Sequence, residues 1–475
     1  MDLSEKRVTI AVLGAGPAGA GAAYKLAQRR NFNVLLVERG DLVGGNAGSF
    51  DLAGVRVDYG SHRLHPSCAP EILADIRKML GADLLDRPRH GRIRLRGRWV
   101  HFPLRALDLA THLPPSFLAG VGIDSLGKML GRRGEGNNFA EVLEAGLGRT
   151  ICRDFYFPYA WKIWGVDPKT LDAEQARRRV SAGSLSRMAR KILNSVPGFK
   201  TKQGGRFFYP RRGYGAITEA YAREAEAAGA DLKMRTSVAA VETCDRRLRG
   251  IRMAGAAGEE HIEVRQALST IPVSQLVRVM QPAAPREVLE AAGHLRFRSM
   301  ILIYLVLGTD QFTEYDAHYF PGADIPITRL SEPRNYGLAV TPGSTVLCAE
   351  LPCSVDDAVW RATDDELGKL MVQALEAASL PVKCPIRNVV TKRLPQAYPL
   401  YTRGYMRDFQ RIDDWLSTID GLVTFGRQGL FAHDNTHHAL AMAYALNECL
   451  NDDGSFDKEL WKKCRRSFET HVVED

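Results

Sequence analysis

The chain has 475 residues, 45% of them hydrophobic and 25% charged, which is long enough for two interleaved domains around a large core. No run of about 20 apolar residues occurs, which argues against a transmembrane helix. The net charge of +9 sits in local clusters (residues 87–98, Arg177-Arg178-Arg179 and Arg211-Arg212). Such clusters are either solvated surface or a field that attracts an anionic small molecule. They lack the aromatic interleaving of a nucleic-acid binder, so no nucleic-acid partner is expected.

The N-terminal residues lead straight into an apolar strand without a signal-peptide cleavage region, so a cytoplasmic location is expected. Residues 9–38 carry the densest signal: TIAVLGAGPAGAGAAYKLAQRRNFNVLLVE. A short apolar run meets Gly14, Gly16, Pro17, Ala18 and Gly19; a helical stretch and a second apolar run ending on Glu38 follow. This is the fingerprint for an ADP-containing dinucleotide. Gly14 permits the tight turn, Gly16 lets backbone approach a pyrophosphate, and Gly19 lets the helix lie close to the strand. The pyrophosphate sits at the positive helix end, and Glu38 is spaced to hold a ribose hydroxyl. Arg39 follows it, and then Gly44, Gly45 and Asn46. A glycine pair just past the acid resembles FAD-binding flavoenzymes more than NAD dehydrogenases, which rarely carry it; physically it again lets backbone come close to phosphate and ribitol.

The GGNA segment, followed by a short strand and then Gly60-Ser61-His62 within YGSHRLH, resembles the start of the UDP-galactopyranose mutases. The wider group includes protoporphyrinogen oxidase-like and amine oxidase-like flavoproteins. The resemblance implies that Gly60, Ser61 and His62 lie beside the isoalloxazine ring. On its own, His62 reads equally well as a satisfied core histidine.

Further along, residues 92–103 alternate around Gly97 as a hairpin. Residues 104–200 are poor in strand signals, and residues 131–138 (GRRGEGNN) read as a loop. Phe157 to Gly165 resembles the mutases' KxWG segment, which implies a site role for Trp164 and for one of Arg177, Arg178 and Arg179. Residues 207–230 read as a strand end, a glycine turn and an amphipathic helix. A strand pair follows at 235–241 and 248–253, and the resemblance places Val238 at the adenine. Residues 267–272 return to the nucleotide domain as a strand and turn. Residues 298–308 and 344–352 are strongly apolar strands. Asp324 to Arg329 resembles the P-x-T-R segment, whose arginine faces a substrate diphosphate, so Arg329 is a candidate anion clamp. Tyr398-Pro-Leu-Tyr401 resembles the tyrosine-bearing YP segment, which implies a site role for Tyr401. Gly426-Arg427 and Asn435 open the last helix; the resemblance places them at the FAD pyrophosphate and ribitol. The chain departs from the mutases at Asn435-Thr436-His437-His438, and a uridine-stacking motif is absent.

The expected fold is α/β: a Rossmann-type, GR2-like FAD-binding domain (1–70, 205–290, 415–455). It is interleaved with a mixed α+β substrate domain (71–204, 291–414), and 456–475 form a helical tail. The eight cysteines show no CxxC pair and read as free thiols, and no metal site is expected. No attachment motif stands out, so FAD is expected to be non-covalent. If NAD(P)H is the external reductant, it must bind without a second Rossmann domain. The first functional reading is an oxidoreductase that passes hydride from an anionic substrate, such as a nucleotide sugar or natural-product intermediate, to flavin N5. The catalytic candidates are His62, Arg329, Trp164 and Tyr401. The second reading is a mutase that uses reduced FAD as a nucleophile with no net oxidation. The third is a non-catalytic flavoprotein. An oligomer is compatible with all three.

Overall fold

A computed structural model describes residues 7–104, 106–129, 136–179, 205–338 and 341–473. Its centre is a five-stranded parallel sheet in the order Leu422–Thr424, Gln266–Ser269, Val8–Leu13, Phe32–Val37, Asp231–Lys233. The first strand is central, with its successor on one side and the later strands Gln266–Ser269 and Leu422–Thr424 on the other. That reversal of order opens a crevice at the carboxyl ends of Val8–Leu13 and Gln266–Ser269, where ligands of open α/β sheets bind.

Three helices cover one face: Pro17–Ala27, Ala216–Ala227 and Thr436–Cys449. Their closeness is set by small residues. A Cβ on Gly21 would meet the Leu440 side chain at 2.9 Å, and Tyr24 meets Tyr221 edge-on at 5.2 Å. The opposite face, through Ala11, Leu13, Leu35 and Val37, packs on Val241, Ile251 and Met253. These last belong to a second sheet of Ser237–Cys244, Arg247–Gly255, Gly258–Glu263 and Met280–Gln281.

A seven-stranded sheet forms the other half. Its order is Ile386–Leu400, Arg296–Leu307, Thr345–Cys353, Arg329–Ser331, Ala317–Tyr319, Gly91–Leu95, Arg98–Phe102. Arg296–Leu307 reads as a continuous apolar run because both of its faces are covered. Met300, Leu302, Tyr304 and Val306 join the core shared with the nucleotide-binding half. Ile301, Ile303, Leu305 and Leu307 face the cluster that includes Leu367, Met371 and Leu375 of the helix Asp364–Ala377.

The hairpin at 92–103 forms as Gly91–Leu95 and Arg98–Phe102, turning through Arg96 (φ 50°) and Gly97 (φ 75°). Both turn residues are left-handed, as a two-residue hairpin turn of the primed type requires. The expected loop at 131–138 falls largely outside the described residues. The described part of 104–200 is helical, and a final helix spans Lys458–Phe468. All eight cysteines are unbridged. No helix among the described residues is long and apolar enough to cross a membrane.

Candidate functional site

The crevice opens into a cleft with a cavity volume of about 450 Å³. At its floor lies the first glycine turn. Gly14 holds φ +101°, and a Cβ on Gly19 would lie 1.8 Å from the Gly14 carbonyl oxygen. The turn therefore tolerates no side chain at Gly19. A Cβ on Gly16 would meet nothing within 4 Å, because this residue faces open cleft. Glu38 closes the motif: Oε2 accepts from the Ala15 amide and Oε1 from the Gly40 amide, each at 2.8 Å. Gly14, Gly16, Pro17, Ala18, Glu38 and Arg39 all line the cleft, as do Gly45, Asn46 and Val238. A cleft with a glycine-rich turn at a helix N-terminus and a carboxylate one strand away fits an ADP-containing dinucleotide.

Gly19, Gly44, Gly60 and Gly426 do not line the cleft but shape its wall. Gly44 holds φ +114°, and a Cβ there would meet the Gly48 Cα at 2.5 Å. Gly426 begins a separate turn (Gly426–Gly429), whereas the last long helix starts at Thr436, N-capped by Asn435. Sequence reading ran these two elements together. Arg427 and Asn435 both line the cleft.

The segment after Asp58 supplies the far wall. Asp58 is 2% exposed and accepts hydrogen bonds from Ser49 Oγ (2.6 Å), Tyr209 OH (2.7 Å) and the Tyr214 amide (2.7 Å). Burial pushes its carboxyl up to about 6, against these bonds. Its own carbonyl accepts from Tyr304 OH at 2.6 Å. The chain then bends through Gly60 (φ +96°), and Ser61, His62 and Arg63 enter the cleft wall. His62 Nε2 lies 2.8 Å from the Tyr59 carbonyl, so that nitrogen carries the proton and Nδ1 is left with a lone pair. Burial lowers the imidazole to about 4, with Arg329 and Arg427 acting in the same direction. His62 is therefore neutral at pH 7.

Arg329 lines the cleft with its charge already matched. Glu350 Oε1 accepts from Arg329 Nε at 2.9 Å, from Arg329 Nη2 at 2.6 Å and from the Ser61 amide at 3.0 Å. This changes the reading of Arg329 as a clamp. The guanidinium is bound to a carboxylate, and the pair joins the strands Arg329–Ser331 and Thr345–Cys353 to the His62 segment. Arg63 is paired similarly, with Asp316 at 3.4 Å, and its guanidinium lies over the Phe207 and Tyr336 rings.

Two catalytic candidates move out of the site. Trp164 is 3% exposed, sits in the cluster of Phe139, Leu143 and Leu171, and meets Tyr398 and His433 edge-on. Tyr401 is stacked on Tyr405 at 4.0 Å, and its hydroxyl donates to the Phe431 carbonyl at 2.8 Å. Neither lines the cleft; Gln396 and Tyr398 do. The reason is strand geometry. Residues 396 and 398 share one face of the strand Ile386–Leu400, whereas Tyr401 lies beyond its end. Of the arginine triplet, Arg177 is exposed, and Arg178 is buried between Glu174 and the Phe468 carbonyl. The Arg179 side chain lies outside the described residues. Lys162 of the KxWG segment donates to the Phe320 and Ile327 carbonyls, and burial lowers its amine to about 8. It braces the chain leading to Arg329.

Among the described residues, five arginines (39, 63, 89, 329 and 427) and two carboxylates (Glu38 and Asp434) line the cleft. Sequence reading gives no site role to Asp58, Arg63, Glu350 and Asp434, meets Arg89 only within the basic cluster 87–98, and prefers Tyr401 to Tyr398 in the YP segment. For Glu350 a signal existed: one acid inside the apolar run STVLCAELP must be paired if that strand is buried. Asp316 and Asp434 carried no comparable signal.

Residues 18–445 match the family described as flavin containing amine oxidoreductase. Among solved structures, a reduced UDP-galactopyranose mutase superposes with a TM-score of 0.76 at 21% identity, covering 93% of each chain. A putative protoporphyrinogen oxidase from Exiguobacterium sp. 255-15 gives 0.72 at 19%, covering 94% of this chain and 98% of the other. Cyclohexylamine oxidase from Brevibacterium oxydans IH-35A gives 0.65 at 14%, covering 97% and 100%.

Proposed function

Since the chain belongs to the family of flavin-containing amine oxidoreductases, and is thus an FAD-dependent oxidoreductase, we propose that it oxidises an anionic small molecule of the nucleotide-sugar or natural-product-intermediate class. The observation that carries this reading is the arginine-rich wall of the cleft, where Arg39, Arg63, Arg89, Arg329 and Arg427 present guanidinium groups, although Glu350 and Asp316 balance the charge of two of them. Such planar donors suit the cofactor's diphosphate and an anionic group on a substrate through directed hydrogen bonds.

When bound, FAD supplies the redox chemistry by accepting hydride at N5. The protein's own groups have separate tasks. Gly14, Gly16 and the first helix cradle the pyrophosphate, Glu38 holds the ribose, and Val238 meets the adenine. Arg427 and Asn435 serve the pyrophosphate and ribitol, with Asn46 and Ser61 along the same wall. His62, neutral and with Nδ1 as acceptor, takes a hydrogen bond from cofactor or substrate rather than offering a positive charge. Arg329, steadied by Glu350, orients the substrate's anionic group by hydrogen bonds more than by net charge. Tyr398 supplies a hydroxyl and an aromatic face. We take FAD to be held non-covalently, with His62 Nε2 engaged by the Tyr59 carbonyl.

We assign residues 1–70, 205–290 and 415–455 to the FAD domain, 71–204 and 291–414 to the substrate domain, and 456–475 to a helical tail. The strands of the central parallel sheet all come from the first set. The test is anaerobic addition of a panel of nucleotide sugars and carboxylated amines to the FAD-loaded protein. Reduction of the flavin by a panel member without added reductant supports the reading. Isomerisation that appears only after chemical reduction, with no net oxidation, replaces it with mutase chemistry.

A further inference from the structure

The C-terminal segment returns to the cleft. Val473 lines it, and its amide donates to the Arg178 carbonyl at 2.9 Å. Arg178 in turn donates to the Phe468 carbonyl. Between these anchors, His471 reaches the start of the last long helix. Its Nδ1 lies 3.0 Å from Asp434 Oδ1. His438 Nδ1, one turn into that helix, lies 3.3 Å from the same oxygen. The three donor atoms all fall within 4.8 Å of one another. Asp434 Oδ2 is buried with no hydrogen-bond partner among the described residues.

We propose that Asp434, His438 and His471 form a site for one transition-metal dication of the zinc class, which pins the C-terminal segment to the helix bordering the cofactor cleft.

The chemistry fits on two counts. One carboxylate and two imidazoles are a donor set that such ions take. Zinc bonds of about 2.0–2.1 Å in a tetrahedron set neighbouring donors roughly 3.3 Å apart, close to the two separations to Asp434. Two rearrangements are required. The two imidazole rings stack 4.1 Å apart at 13°, so their lone pairs run side by side. Coordination draws the His471 ring out of the stack until both Nδ1 atoms point at one ion. His438 also gives up the Asn435 amide that now donates to it at 3.2 Å.

The test uses the full-length, FAD-loaded protein, dialysed against chelator and titrated with zinc by calorimetry at pH 7.5. The expected result is one equivalent per chain. His438→Ala and His471→Ala should each weaken binding by more than about 100-fold, the upper range for removing even an outer-sphere partner. His65→Ala, a nearby histidine outside the triad, should leave it intact. His471 lies beyond the last helix, so its substitution leaves the fold in place. The flavin spectrum, recorded on the same samples, reports cofactor loading separately from metal binding. Absence of a stoichiometric site, or binding that survives either triad substitution, overturns the proposal.

Discussion

Replacing Glu350 with glutamine tests the link between the His62 segment and Arg329. Glu350 Oε1 accepts three hydrogen bonds, one from the Ser61 amide and two from Arg329. The side chains of Arg329 and Glu350 are 15% and 7% exposed. Removing the charge of one partner of such a buried pair costs about 3–5 kcal/mol. Arg329 also borders the cleft, where water reaches it, so the lower figure of about 3 kcal/mol applies. At roughly 2.1 cal/mol/K per residue, unfolding a chain of 475 residues carries an entropy of about 1 kcal/mol/K. Tm should therefore fall by about 3 °C in a thermal scan of the FAD-loaded protein. A second arm isolates the cause. With its carboxylate gone, Arg329 becomes a cation in need of a partner, so added sulfate should raise the Tm of E350Q more than that of the wild type, beyond what an equal ionic strength of chloride does. The reasoning is refuted if E350Q melts within about 1 °C of wild type and sulfate acts equally on both.

Gly19→Val forces a Cβ to 1.8 Å from the Gly14 oxygen, so the purified variant should carry little or no flavin by absorbance; a fully loaded variant contradicts the packing argument. Tyr398→Phe should lower kcat/KM about 2- to 10-fold once a substrate is known, the loss of one hydrogen bond, whereas Tyr401→Phe should cost about 1 kcal/mol of stability and change kcat/KM less. Burial lowers His62 to about 4 and His318 to about 3, from an ordinary 6.5. The unfolded chain thus binds more protons below about pH 6.5, and these two groups make Tm fall as pH drops from 6.5 towards 4 while contributing no slope above it. Asp58, raised to about 6 from 3.8, acts in the opposite sense over 3.8–6, so two histidines work against one carboxylate. A His318→Asn variant whose Tm–pH slope matches wild type between pH 6.5 and 4 would refute the assignment.

The nucleotide-binding half was legible because its signals are local. Gly14, Gly19 and Glu38 each answer a backbone demand within one βαβ unit, and the alternating hairpin at 92–103 likewise depends on near neighbours. The substrate half was less legible because its contacts cross long stretches of chain. Nothing near Arg329 in sequence announces that Glu350 neutralises it, or that Ser61 shares the same oxygen. Tyr398 and Tyr401 look equivalent in a YP motif. Only the strand phase, set by pairing with Arg296–Leu307, puts residues 396 and 398 on the cleft side. Trp164 matches the KxWG pattern, yet Phe139, Leu143 and Leu171 surround it, and a buried indole is as good a reason for a tryptophan as a ligand. His471 gave no signal at all, since its contact with Asp434 depends on how residues 469–473 fold back after the helix Lys458–Phe468.

The most direct test of the central claim is the visible spectrum of the purified, FAD-loaded protein under anaerobic titration with an anionic substrate panel. The account predicts that one member bleaches the oxidised-flavin band without any added reductant, at one flavin reduced per substrate oxidised. If every member leaves the band intact and one is isomerised only after chemical reduction of the flavin, the oxidoreductase assignment for this cleft is contradicted.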